Sequence, residues 1–185
     1  RISHILTMST PTGALYEVDT RLRPSGSSGL LVTSLTALDS YQRTDAWTWE
    51  HQALLRARSV AGSQIVREAF ERLRVHVLTH YVRRGTLQEE VRNMRDRMRT
   101  ELDESNAELF DIKQGTGGLI DIEFIVQYLV LLHAQEHATL LVYSDNIRQL
   151  DALRDAGIVA AADTEALADA YRAYRGRMHQ LSLAG

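Results

Sequence analysis

Polar and apolar residues first alternate along this chain and then settle into helical repeats. In the run ALYEVDTRLRPSGSSG, Ala14 to Gly29, the charged residues Glu17, Asp19, Arg21 and Arg23 fall at every second position, with Tyr16, Val18, Thr20 and Leu22 between them. Alternate residues of a strand share a face, so the pattern predicts a half-solvated strand that ends in a Ser/Gly turn. The run LLVTS after the turn reads as a second short strand, forming a hairpin or a neighbour of the first. From Ser34 the spacing becomes helical. Ser34 is the predicted N-cap of LTALDSYQR. In AWTWEHQALLRAR, Trp47, Ala53 and Leu54 are spaced for a helix face, and both tryptophans, Trp47 and Trp49, are expected to pack.

Longer helices follow. From Ser63 to about Val82, Val66, Phe70, Leu73, Val77 and Tyr81 form an apolar stripe, which Gly85 ends. Leu87, Val91, Met94, Met98 and Leu102 then make a near-heptad seam, and the short connection predicts an antiparallel pair. LFDIKQGTGG breaks the pattern. Leu119 to Ala134 is apolar nearly all round, which predicts a central helix. Ser144 is the expected cap of DNIRQLDALRDA, which ends at Gly157, and a last helix is expected to start at Asp163 or Thr164. The predicted class is mainly α (α+β): strands of a small β element within residues 1–60, then a helical bundle over 61–185.

Composition narrows the function classes. The 185 residues carry a net charge of −3, which gives no reason to expect nucleic-acid binding. There is no cysteine, so disulfides, thiolate catalysis and Cys-based zinc sites are excluded, and the expected compartment is the reducing cytoplasm. The most apolar run contains Asp121, Glu123 and Gln127 and is too short to span a bilayer, so no membrane association is expected. The residues before Met8 read neither as a signal peptide nor as a translation start, and the chain is expected to be a segment of a longer protein. Lys113 is the only lysine among 21 basic residues. A GC-rich genome accounts for the arginines; a lysine that survives the bias hints that an ammonium is wanted there.

Four groups of residues could carry chemistry. On the predicted strand, a carboxylate beside two guanidiniums could hold a metal ion while the arginines grip phosphate oxygens. The simpler account of the same spacing is a solvated face with an Asp–Arg pair worth about 0–1 kcal/mol. In FDIKQGTGGLIDIEF, Lys113 and the glycines precede a helix N-terminus, where free amides and the helix dipole favour an anion. The spacing is not that of a Walker loop. Asp121 and Glu123 complement the same dipole for structural reasons, and being two residues apart they would not share a helix face. HAQEH, His133 to His137, matches a short zinc-peptidase pattern but sits where its helix ends; His76 and His80 lie four apart and are more simply surface or packing residues. Glu50, Arg56 and Arg58 fit a buried ion network or a cleft equally well.

Four motifs taken in order, LYEVDTRLRPSG…GLLVTS, AWTWEHQALLRAR, FDIK…GGLIDIEFIVQYLVL and SDNIRQLDAL, resemble the glutamine synthetase adenylyltransferase family over essentially the whole chain, and its C-terminal, adenylylating half more closely than its removing half. The resemblance implies a nucleotidyltransferase core in which a Gly-Ser turn, a D-x-D pair and a third carboxylate hold two Mg²⁺ ions for ATP. Asp19 would be that third carboxylate, both catalytic residue and metal ligand. No Gly-Ser followed by D-x-D precedes it here, so these 185 residues are expected to be inactive alone. The resemblance further implies transfer of AMP from ATP to a tyrosine of glutamine synthetase. Arg21 and Arg23 are candidates for phosphate or local structural contacts, and Lys113, Gly117 and Gly118 for closing over the triphosphate. The competing expectation is a non-enzymatic helical module that binds glutamine synthetase or a PII-type signal protein.

Overall fold

A computed structural model describes residues 2–11, 13–14 and 18–184 of the chain. After a short helix α1 (Ile2–Leu6), β1 (Ser9–Thr10) and β2 (Gly13–Ala14) pair antiparallel, with Ser9 opposite Ala14 and Thr10 opposite Gly13. A single 3₁₀ turn over Gly26–Ser28 leads to the helical part: α2 (Leu35–Thr44), α3 (Thr48–Arg56), α4 (Gln64–His80), α5 (Leu87–Leu102), α6 (Leu119–His133), α7 (Asn146–Asp155) and α8 (Ala161–Ala184). The mainly helical class is as expected.

The predicted strands are not. Glu17 and Tyr16 lie outside the described residues; residues 18–23 and 30–33 form no strand. A strand must pair its backbone N–H and C=O groups, and side chains take up those of this segment instead. Asp19 accepts the amide of Arg21, and the Arg23 guanidinium donates to the carbonyls of Thr20, Ser27 and Gly29. Leu30, Leu31 and Val32 are left exposed.

Helix ends follow local chemistry. Ser34 caps α2 by accepting the Ala37 amide, and Ser63 caps α4 by accepting that of Val66. Asp145, one residue after the expected Ser144, caps α7 through the Arg148 amide at 3.0 Å. α8 begins at Ala161, two residues before the expected Asp163.

Helix α6 is central, as its composition predicts. It packs on α3, α5, α7 and α8, and its Leu119, Ile122, Val126, Val130 and Leu131 are buried with Leu55, Leu87, Leu150 and Leu153. The expected α4–α5 pair is not the principal packing. α4 lies on α2 and α3, whereas α5 lies on α3 and α6. Arg84, in the connection, holds the end of α4 through the Leu78 and Thr79 carbonyls and reaches the Leu132 carbonyl of α6 at 3.2 Å. That bond brings the end of α6 against the junction.

Arg74 is the most deeply placed cation of α4, with 3% of its side chain exposed. It pairs with half-exposed Glu71 and donates to the carbonyls of Leu55 and Leu141, tying α4 to the end of α3 and to the 3₁₀ turn Ala138–Leu141. Arg74→Ala leaves both carbonyls without a donor, each costing about 1–3 kcal/mol. Urea unfolding is expected to show a loss of about 2–4 kcal/mol, against less than about 0.5 kcal/mol for exposed Arg92→Ala.

Candidate functional site

Asp19 and Arg21 form an exposed pair: Arg21 donates from Nε at 3.0 Å and Nη2 at 2.7 Å, and its amide reaches Asp19 Oδ1 at 2.8 Å. These bonds, the side-chain ones foremost, hold the Asp19 carboxyl at about 2, below its ordinary 3.8, so it is an anion at neutral pH. Arg23 faces inward and closes the following turn. Ser25 there adopts φ +60°, a left-handed conformation costing a non-glycine residue about 1–2 kcal/mol. Gly29 closes the loop so tightly that a Cβ would lie 1.9 Å from the Pro24 carbonyl oxygen.

The turn sits against α2 and α3. The Tyr41 hydroxyl donates to Glu50 Oε1 at 2.8 Å and is faced by the backbone amide of Ser25; burial raises its pKa above this amide's opposing pull. Glu50 also accepts the amide of Trp47 at 2.9 Å, fixing the start of α3. A cavity of about 550 Å³ lies between the two parts, with Leu22, Arg23 and Pro24 on one side and Trp49, Glu50 and Arg56 on the other.

Sequence reasoning missed how polar the buried face of α3 is. Thr48, Glu50, His51 and Gln52 are buried, whereas Trp47, expected to pack, is 65% exposed and lines an outer groove with Met94 and Met98. The N-cap position turns Trp47 away from that face. His51 Nε2 donates to the Gln42 carbonyl at 3.0 Å, and Gln52 donates to Gln127 Oε1 of α6 at 3.1 Å. Burial holds the His51 pKa down, so the ring is neutral. The 3.6-residue spacing of Thr48, His51, Gln52 and Leu55 was the available signal, hidden because three of the four are polar.

The glycine turn before α6 is closed by the chain itself. Asp111 Oδ1 accepts the amides of Lys113 and Gln114, Gly117 donates to Asp121 Oδ2 at 2.7 Å, and Gly118 donates to the Gly115 carbonyl at 2.9 Å. A Cβ on Gly118 would come within 2.7 Å of the Ile112 carbonyl. The amides expected to be free for an anion are therefore engaged. Lys113 is exposed, and no carboxylate among the described residues pairs with its ammonium. The structure brings Lys113, Gly117 and Gly118 together at one end of α6; neither they nor Asp19 line the 550 Å³ cavity.

Asp121 and Glu123 hold opposite sides of α6, as their two-residue spacing predicts. Asp121 meets Arg95 Nε at 2.5 Å and Arg99 Nη2 at 3.0 Å, both from α5. Glu123 Oε1 accepts from Tyr171 of α8 at 2.9 Å and Asn146 of α7 at 3.2 Å, with Arg56 of α3 at 3.5 Å.

Burial raises the Asp121 pKa, but the Gly117 amide, Arg95 and Arg99 outweigh it, and the carboxyl lies below its ordinary 3.8. A carboxyl depressed in the fold contributes stability that is fully present above the unfolded value and is lost as pH falls through the folded one. Below pH 3.8 wild type is expected to lose stability more steeply than Asp121→Asn; chemical unfolding at pH 2–5 reads the difference. Parallel curves would remove Asp121 from the acid response.

Residues 1–73 match the family model described as glutamate-ammonia ligase adenylyltransferase, and residues 85–184 match that of GlnD PII-uridylyltransferase. Over 99% of this chain the sequence is 55% identical to a bifunctional glutamine synthetase adenylyltransferase/adenylyl-removing enzyme of Nitrosococcus oceani. It is 51% identical to the enzyme so named in Thioalkalivibrio sulfidiphilus and 49% to that in Pseudomonas aeruginosa. The chain spans about a fifth of the length of these curated relatives, 19–20%. The similarity to these enzymes extends over both matched regions, and the model that covers more than half of the chain, over residues 85–184, is that of GlnD PII-uridylyltransferase, the family to which this helical part belongs.

Proposed function

We propose that these 185 residues are the part of an adenylylating enzyme that joins the edge of its nucleotidyl-transfer site to the helical bundle behind it. The observation that carries this reading is the similarity, over 99% of the chain, to proteins named for adenylylating glutamine synthetase. In the reaction a tyrosine hydroxyl of glutamine synthetase attacks the α-phosphorus of ATP. A P–O bond forms to the tyrosine, the bond to pyrophosphate breaks, and the hydroxyl proton passes to a base. Asp19, ionised and on the surface, is the proposed carboxylate of that site. Arg21 holds it in one orientation, and Arg23 shapes the turn behind it. Lys113 supplies a positive charge for the triphosphate, and Gly117 and Gly118 shape the turn that presents it.

Family resemblance implies Mg²⁺, but the described residues do not by themselves make a site for it. Among the described residues no three His, Asp or Glu side chains gather as a metal ion needs, and Arg21 engages both oxygens of Asp19. Asp19 is proposed as a single ligand that the rest of a longer enzyme completes. The PII-type signal protein is a second proposed partner, supported by the description of the model that matches residues 85–184. No helix among the described residues is long and apolar enough to cross a membrane; the proposed location, the cytoplasm, rests on the similarity to the adenylyltransferases.

Two measurements test the reading. In the full-length enzyme carrying this sequence, Asp19→Asn is expected to lower AMP incorporation into glutamine synthetase by about 100-fold or more; a rate within twofold of wild type would overturn the assignment. The 185 residues alone, given Mg²⁺-ATP and glutamine synthetase, are expected to incorporate no AMP, and measurable incorporation would show that one carboxylate suffices.

A further inference from the structure

A second cavity, of about 350 Å³, opens where the end of α3, the start of α7 and the middle of α8 meet. Arg56, Asn146, Tyr171, Arg172 and Arg175 line it, with Asp145 beside them. Its volume is at the lower end of the range for ligand pockets, about 300–1,000 Å³. Three guanidiniums from two helices converge here, and the chain's own acids leave part of their capacity unused.

Carboxylates close to the cavity are already engaged. Glu123 accepts from Tyr171 and Asn146, and Arg56 stands 3.5 Å from it. Asp145 is bound by the amide of Arg148 at 3.0 Å and its Nε at 2.5 Å. Arg172 has an exposed partner in Asp169 at 2.9 Å, a pair that water screens. Arg175 meets no carboxylate among the described residues; its contacts are the Tyr171 hydroxyl at 3.5 Å and the Tyr171 ring. Four guanidiniums thus stand against three carboxylates, with Arg56 and Arg175 the least satisfied.

We propose that this cavity binds a small molecule carrying a phosphoryl group. Planar guanidinium forks match the oxygens of a tetrahedral oxyanion, and forks on α3 and α8 can grip one from two sides. Asn146 and Tyr171, locked together at 2.8 Å and both bonded to Glu123, form a rigid wall against which Arg175 is held. The site is separate from Asp19, but Arg56 also lines the 550 Å³ cavity beside Leu22–Pro24. Occupancy is thereby linked through one side chain to the turn after Asp19.

Isothermal titration of the 185-residue chain with inorganic phosphate and with pyrophosphate, against sodium chloride at equal ionic strength, tests the proposal. Saturable binding of at least one phosphorus anion, and none of chloride, is expected. Arg175→Gln and Arg175→Lys should each weaken it by about tenfold or more, the lysine variant because it keeps the charge and loses the fork. Arg97→Gln, on the remote outer groove, should bind as wild type does. Arg175 is exposed, and thermal unfolding checks that its variants stay folded. Heats that chloride reproduces, or an Arg175→Gln affinity equal to wild type, would overturn the site.

Discussion

Helix α6 has to be covered on almost every side, and the rest of the bundle follows from that constraint. Fifteen residues from Leu119 to His133 expose apolar side chains in most directions, and each fully buried Leu, Ile or Val stabilises by about 1.5–3 kcal/mol relative to exposure. Four helices surround it accordingly. Burial alone does not say which helix goes where. The two acids in its first turns do: Asp121 draws α5 through Arg95 and Arg99, and Glu123 draws α3, α7 and α8 through Arg56, Asn146 and Tyr171. Non-directional burial makes α6 central, and directional ion and hydrogen bonds at its N-terminal end set the arrangement.

Polar bonds then carry that order outward. Gln127 of α6 receives Gln52 of α3, and Glu50, on the same helix, receives Tyr41 of α2. Tyr41 in turn stands against the turn that follows Asp19. A continuous series of contacts therefore runs from the core to the turn that follows Asp19. The buried polar residues of α3 cost desolvation wherever a partner is missing; Thr48, Glu50, His51 and Gln52 each bond to another element, and His51 Nδ1 and Gln52 Oε1 are the buried atoms of this face left without a partner among the described residues.

Much of the helical part was legible because its signals are local. Apolar stripes, Ser34 and Ser63 as caps, and Gly157 as a terminator each depend on a few neighbouring residues. The alternation around Asp19 misled because period two describes a strand only when a second strand is available to pair with it. Here the Arg23 guanidinium takes the Thr20 carbonyl and the Asp19 carboxylate takes the Arg21 amide, groups that a ladder would have used. Trp47 misled for a related reason: hydrophobicity predicted packing, but its place at the start of α3 turns it outward. The free amides expected before α6 were counted without Asp111 and Asp121, acids in the same motif that bind them. Asp19 itself was legible only through four motifs in order, since its spacing fits a solvated pair as well as a site.

We propose that the Asp19 turn and the Lys113–Gly118 turn, on separate parts of the chain, serve one nucleotide. Hydrogen exchange read by mass spectrometry on the full-length enzyme, with and without Mg²⁺-ATP, tests it most directly. Slower exchange on ATP addition is predicted in peptides covering both 18–29 and 111–121. ATP binding that leaves both segments exchanging at their unliganded rates would contradict the claim.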